Sequence, residues 1–300
     1  MGMFLRLMIA ACVAFAPAAQ AALNVFATVP EWGALAAELG GDKVSVYTAT
    51  NALQDPHRVE ARPSLIARAR SADLVVATGA ELEVGWLPLV VQQAGNAKVR
   101  PGTPGYFEAT AFVPLLGKPA RLDRAEGDIH PQGDPHIQTD ARNIGRVAEP
   151  LATRMAQLDP ANAAHYQARL KSFVERWNAA VAKWERDAAP LKGTRVVVQH
   201  RGFTYLEAWL GIEEAAALEP KPGMEPTSAH LAEVLATLQQ RPAKMILRAA
   251  YQGDRATQWL AERTKIAPVA LPFTVGGTPE AKDLFGLFDD TIRRLLKGAA

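Results

Sequence analysis

Cysteine is nearly absent: Cys12 is the sole thiol in 300 residues. That excludes an intrachain disulfide and any cysteine-built metal cluster. A charge excess is missing too. The 33 Lys and Arg against 31 Asp and Glu leave a net +2, which gives no electrostatic basis for binding nucleic acid or an anionic membrane surface. No stretch reaches the ~18 uninterrupted apolar residues of a membrane helix. No Ser-His-Asp or Cys-His pattern stands out, and Gly276-Gly277 lacks the spacing of a phosphate loop. There is no internal repeat and no low-complexity linker. Histidine is scarce, at six residues. What is plentiful is apolar side chain, at 49% of the sequence, enough for a sizeable packed core.

The first 21 residues read as a signal peptide. Arg6 supplies the positive start, Leu7 to Phe15 the short apolar stretch, and Ala19-Gln20-Ala21 the small-residue cleavage site. The mature chain then begins near Ala22, lacks any thiol, and is destined for the periplasm. Ile9-Ala10-Ala11-Cys12 has the look of a lipoprotein box, but few apolar residues precede it. Lipid anchoring at Cys12 is therefore set second to cleavage after Ala21.

Strand and helix patterns alternate along the mature chain, which predicts α/β architecture with parallel-type sheets. Strands are expected at 23–28, 44–47 and 73–78. Helices are expected from Pro30, over 63–70 and around Trp86-Leu87. Asp140 is a cap for a helix whose stripe is Ile144, Val147, Ala148, Leu151 and Met155. The longest helical pattern runs from Pro160 to Ala188, with Tyr166, Leu170, Phe173, Val174, Trp177, Val181 and Trp184 on one face. At 1.5 Å per residue it would span about 40 Å, more than one lobe needs. Its natural use is as a spine, the alternative being a long helix packed on one large sheet. A second alternating run follows, with strands at 195–199, 245–247 and 268–272 and helices at 227–240, 252–264 and 283–297. The expected organisation is an N-terminal lobe over 22–159, a spanning helix over 160–188 and a C-terminal lobe over 189–300.

Three histidines sit in short turns after strand-like segments: Asp55-Pro56-His57, Asp134-Pro135-His136 and Gln199-His200. An Asp-Pro turn restricts the backbone before the histidine. Three neutral imidazoles converging from distant loops are a good nitrogen shell for zinc. Asp55 and Asp134 suit a turn-setting role, and either could hydrogen-bond a ligand imidazole from behind and fix its tautomer.

The chain resembles the zinc- and manganese-binding solute-binding proteins of bacterial ABC importers over nearly its whole mature length. The stretches that carry the likeness are Asp55-Pro56-His57 with Glu60, Arg62, Pro63 and Ser64; Ala72 to Val76 running on to Gly79, Leu82, Glu83 and Trp86; Gly133-Asp134-Pro135-His136; His200, Gly202, Phe203 and Tyr205; and Glu225-Pro226-Thr227. The resemblance implies two α/β lobes joined by one long spanning helix, with a metal in the cleft between them. It implies His57, His136 and His200 as ligands, and Zn²⁺ as the cargo in preference to Mn²⁺, because the third position is histidine and not glutamate. It further implies a monomer that serves an ABC permease in the inner membrane, and a periplasmic metal chaperone as a possible source of the metal.

One position departs from the family pattern. The usual aspartate after the last strand is replaced by Leu271-Pro272-Phe273-Thr274-Val275-Gly276-Gly277. Glu60, Glu280 and Asp283 are the candidates for a fourth ligand, with water as the alternative. The family's long histidine- and acid-rich loop is reduced here to Glu126-Gly127-Asp128-Ile129-His130. His130 is expected to be a solvated loop residue, with passing metal inward as its other reading. His165 and His230 are expected at the surface, and Glu83 in a structural role. Two other functions stay open: a zinc hydrolase with an open three-histidine site, and a siderophore-type metal-chelate binder with Arg201 or Arg248 facing the cleft.

Overall fold

The computed structural model describes residues 22–119 and 127–300. The signal-peptide reading, Cys12 and Glu126 lie outside these described residues. The elements in chain order are β1 Leu23–Ala27, α1 Pro30–Gly40, β2 Val44–Thr48, α2 Pro63–Arg70, β3 Leu74–Ala77, α3 Leu87–Ala94, β4 Tyr106–Glu108 and α4 Ala141–Leu158. Then come α5 Ala163–Ala188, β5 Arg195–Val198, α6 Thr204–Leu210, β6 Glu213–Ala217, α7 Ser228–Gln240, β7 Met245–Ala249, α8 Arg255–Thr264, β8 Ala267–Leu271 and α9 Leu284–Ala299.

The strands form two four-stranded sheets, ordered β2-β1-β3-β4 and β6-β5-β7-β8. Every neighbouring pair is parallel. A parallel sheet is covered by helices on both faces, so its central strands read as continuous apolar runs. Leu74-Val75-Val76-Ala77 is such a run, and all four residues are buried. The two sheets therefore share one topology although the sequence shows no repeat. In both, the chain reverses its direction of growth between the first and third strands, and loops leaving the carboxyl ends of the strands are where such sheets bind ligands.

Several expected helix starts hold in detail. Asp140 caps α4 by accepting from the Arg142 amide, Thr227 caps α7 through the His230 amide, and Pro63 opens α2 in its first turn. The long helix α5 is preceded by a tighter turn at Pro160–Asn162. Its buried face is Tyr166, Leu170, Phe173, Trp177, Trp184 and Ala188. On one side it grips the N-terminal lobe: Arg169 Nε donates to Glu38 O of α1 at 2.6 Å, and Trp177 Nε1 donates to Ala141 O of α4 at 2.8 Å. On the other it packs against α9 of the C-terminal lobe, with Trp177 5.0 Å from Phe285 and 5.6 Å from Phe288 between ring centroids. One apolar core runs without a break from Trp32 and Val76 through Trp177 to Leu247 and Phe288. The spine is thus part of a shared core, and each lobe adds a smaller cluster on its outer face.

Three elements went unread in the sequence. β4 is only three residues long, and α6 only seven. β6 reads Glu-Glu-Ala-Ala-Ala, a composition with helical preference. It is a strand because pairing with β5 at the sheet edge outweighs that preference.

Candidate metal centre

Every strand of the C-terminal lobe delivers one residue to the same place. His200 follows β5, Glu219 follows β6, Tyr251 follows β7 and Phe273 follows β8. The N-terminal lobe answers with His57 after β2, Ala80 after β3, and His130, Asp134 and His136 in the segment between β4 and α4. One ring nitrogen from each of His57, His136 and His200 lies within 4.8 Å of the other two. Their ring centroids are 5.1, 5.8 and 5.5 Å apart.

Each imidazole is aimed by a carboxylate. Asp55 Oδ1 accepts from the His57 amide at 3.0 Å and from His57 Nδ1 at 2.8 Å. Asp134 Oδ1 does the same for His136, at 2.8 and 2.6 Å. The Asp-Pro-His turn is therefore one device: an acid binds the backbone and the ring two residues onward. Burial works to raise both acids, yet hydrogen bonds and charge from the paired histidines hold them below the usual carboxylate range. An ionised carboxylate only accepts, so Nδ1 of each ring carries the proton and Nε2 keeps its lone pair. His57 Nε2 and His136 Nε2 are both buried with no hydrogen-bond partner among the described residues. Orphaned buried acceptors are rare in folded proteins, and a cation is the partner they fit.

His200 is aimed differently. Its Nδ1 lies 2.7 Å from Glu219 Oε2, nineteen residues away in sequence. The same oxygen accepts from the Gly223 amide at 2.8 Å. Burial alone would depress the His200 ring; the hydrogen bond and charge of Glu219 outweigh it and hold it above its usual value. His136 lies fully buried, and that burial wins over Asp134 to hold it low.

The motif residues around the centre are its scaffold. Trp86 Nε1 donates to Pro56 O at 3.1 Å and steadies the first histidine turn. Tyr205 Oη donates to Asp134 O at 2.7 Å, fixing the second turn from the opposite lobe. Gly133 has φ +129, and a Cβ there would meet Leu116 O at 2.6 Å. At Gly202 a Cβ would press to 3.2 Å of the His200 ring and 3.3 Å of the Phe273 ring. Glu83 is buried and structural: Oε1 accepts from the Thr78 amide at 2.7 Å and Thr28 Oγ1 at 2.6 Å, and Oε2 from the Gly79 amide at 3.1 Å.

None of the three carboxylates considered for a fourth position joins the cluster. Glu60 is exposed. Glu280 pairs with Arg294 at 3.3 Å. Asp283 caps α9 through the Gly286 amide at 2.8 Å. The stretch after β8 brings a phenyl ring instead, with Phe273 in left-handed backbone (φ 66) and its centroid 5.5 Å from the His136 ring. The cations a chelate site would need are occupied. Arg201 Nε donates to Glu214 at 3.1 Å, and Arg248 to the backbone oxygens of Ala249 and Gln252.

Four residues depart from the sequence reading. Glu219 was invisible because β6 was not recognised, and with it the loop that carries the acid. His130, expected in solvent, is half-buried with its ring centroid 5.4 Å from that of His57. His165 and His230, expected at the surface, are also half-buried. Each lies 2.9 Å from a backbone oxygen, of Gly40 and Ala217 respectively, so these two histidines anchor neighbouring backbone.

Comparison with known proteins gives this geometry a context. The family model described as zinc-uptake complex component A, periplasmic, matches residues 25–298. The manganese ABC transporter substrate-binding lipoprotein PsaA of Streptococcus anginosus is 24% identical over 266 residues, 87% of this chain and 83% of that protein. The zinc-binding lipoprotein AdcA of Streptococcus pneumoniae serotype 4 is 23% identical over 247 residues, 81% of this chain and 47% of that one. Among solved structures, a crystal structure of ZnuA superposes with a TM-score of 0.74 at 19% identity, covering 91% of this chain and 99% of that one. At such identity the structural likeness speaks for the fold alone.

Proposed function

Since the chain belongs to the family of the periplasmic zinc-uptake component A, a family of metal-binding subunits of ABC importers and not of enzymes, we propose that it captures zinc and hands it to a membrane permease. His57, His136 and His200 are the ligands in this reading. The observation that carries it is the pair of buried, unpartnered Nε2 atoms on His57 and His136, inside a trio whose every Nδ1 is held by a carboxylate. Three nitrogens, with no carboxylate in the cluster among the described residues, favour zinc over manganese, which prefers oxygen. The named relatives divide between manganese and zinc, so the donor set supports the choice of metal and the names do not. The acids behind the rings raise their basicity and lock their orientation, and the protein acts as a monomer.

The test is a zinc titration of the metal-stripped protein against a chromophoric chelator, repeated with His136→Ala. One tight zinc per chain, weakened by more than about 100-fold in the variant, is the expected result; groups behind a ligand usually cost only 10–100-fold. Undiminished binding by His136→Ala would remove the three-histidine site.

Export follows from the same reading, with periplasmic release after Ala21. The relatives named above are lipoproteins, which favours a second reading in which Cys12 carries the lipid. An intact mass of the exported protein separates a chain starting at Ala22 from one starting at an acylated cysteine.

A further inference from the structure

We propose that His130 supplies the fourth nitrogen to the captured metal, filling the position that carboxylates would otherwise take; this rests on the three-histidine reading above. The geometry of the ring is the first argument. Zinc holds imidazole nitrogen at about 2.0–2.1 Å in a tetrahedron, which separates neighbouring ring centroids by roughly 5 Å. Within the trio the separations are 5.1 to 5.8 Å. His130 lies 5.4 Å from His57 and 6.3 Å from His136. It stands outside the set whose nitrogens lie within 4.8 Å, so a short advance of one ring completes the shell.

The tautomer is the second argument. His130 Nδ1 lies 3.1 Å from Ala80 O. A carbonyl only accepts, so Nδ1 carries the proton and Nε2 is left with a lone pair, as at His57 and His136. The carbonyl is presented by an unusual turn. Ala80 and Glu81 both have left-handed backbone, with φ of 49 and 65, a conformation costly for residues other than glycine. Buried Glu83 holds the entrance of that turn through the Thr78 and Gly79 amides.

The backbone around His130 is tied to both lobes. The Asp128 amide donates to Pro222 O at 3.0 Å, and Arg58, next to His57, donates to Gly223 O at 2.9 Å. Gly223 in turn donates to the carboxylate that aims His200. His130 is therefore held at the seam where the two lobes meet.

The experiment is zinc K-edge absorption on the stripped and reloaded full-length mature protein and on His130→Gln, with chelator competition on both. His165→Gln serves as the control. Four imidazoles in the parent, three in His130→Gln and a loss of about 10-fold or more in affinity are expected, with His165→Gln unchanged. Three imidazoles plus an oxygen in the parent would overturn the assignment even if the variant failed to fold. Equal affinity of parent and variant would overturn it as well. Both results would leave the three-histidine carrier intact, whereas absence of tight zinc in the parent would remove carrier and fourth ligand together.

Discussion

The two lobes have the same sheet and build their share of the centre in opposite ways. In the N-terminal lobe, each of His57 and His136 comes with its own aiming acid two residues earlier, in one Asp-Pro-His turn. In the C-terminal lobe, His200 leaves one strand and its acid, Glu219, leaves the neighbouring strand. The first arrangement is encoded locally and survives in any fold that keeps the turn. The second exists only once β5 and β6 have paired. A likeness of topology thus hides a difference in how much folding each histidine requires before it is aimed.

The largest predicted effect tests whether the lobes are separate bodies at all. Trp177 touches Ala141 in one lobe and the Phe285 and Phe288 rings in the other. Trp177→Ala should cost about 3–5 kcal/mol of stability and lower a single melting transition seen by both calorimetry and far-UV circular dichroism. Two resolved transitions would show that the lobes fold independently.

Next comes a buried acid that bridges them. Thr274 Oγ1 of the C-terminal lobe donates to Glu31 Oε2 of α1 at 2.5 Å. Burial pushes the Glu31 carboxyl from 4.5 up to about 7. The folded form keeps its proton in a range where the unfolded chain has lost it. The associated stability is complete below about pH 4.5 and is lost as pH rises through 7. Glu31→Gln should flatten that slope and be the more stable form above pH 7 by up to roughly 3 kcal/mol. Denaturant melts of both proteins at pH 5 and pH 8 check the sign, and parallel pH profiles would refute the assignment.

The smallest pair of effects addresses the lobe difference itself. Asp134→Ala removes two hydrogen bonds, one to ring and one to backbone, so it should weaken zinc binding by about 10–100-fold and also cost on the order of 1–3 kcal/mol of stability. Glu219→Gln keeps the shape and an acceptor oxygen, so it should weaken zinc by about 10-fold with a melting temperature close to the parent's. Chelator competition with matched thermal melts reads both. Equal stability losses in the two variants would erase the distinction between local and remote aiming.

What could be read in the sequence follows the same division. The Asp-Pro-His turns, the cap at Asp140 and the stripe from Tyr166 to Trp184 are local patterns, and each forms the element it announces. Glu219, Tyr251 and Phe273 reach the centre only through the order of the strands in the sheet, which no short window of sequence contains. β6 failed for the same reason, its Glu-Glu-Ala-Ala-Ala being a strand by pairing and not by preference. His130 was misread because its burial depends on Ala80 in a left-handed turn fifty residues away.

The most direct measurement is a competition between zinc and manganese for the metal-stripped protein, each titrated against a chelator of known affinity. An all-imidazole centre predicts one zinc per chain, with manganese bound more weakly by several orders of magnitude. Manganese bound as tightly as zinc, or neither metal bound tightly, would contradict it.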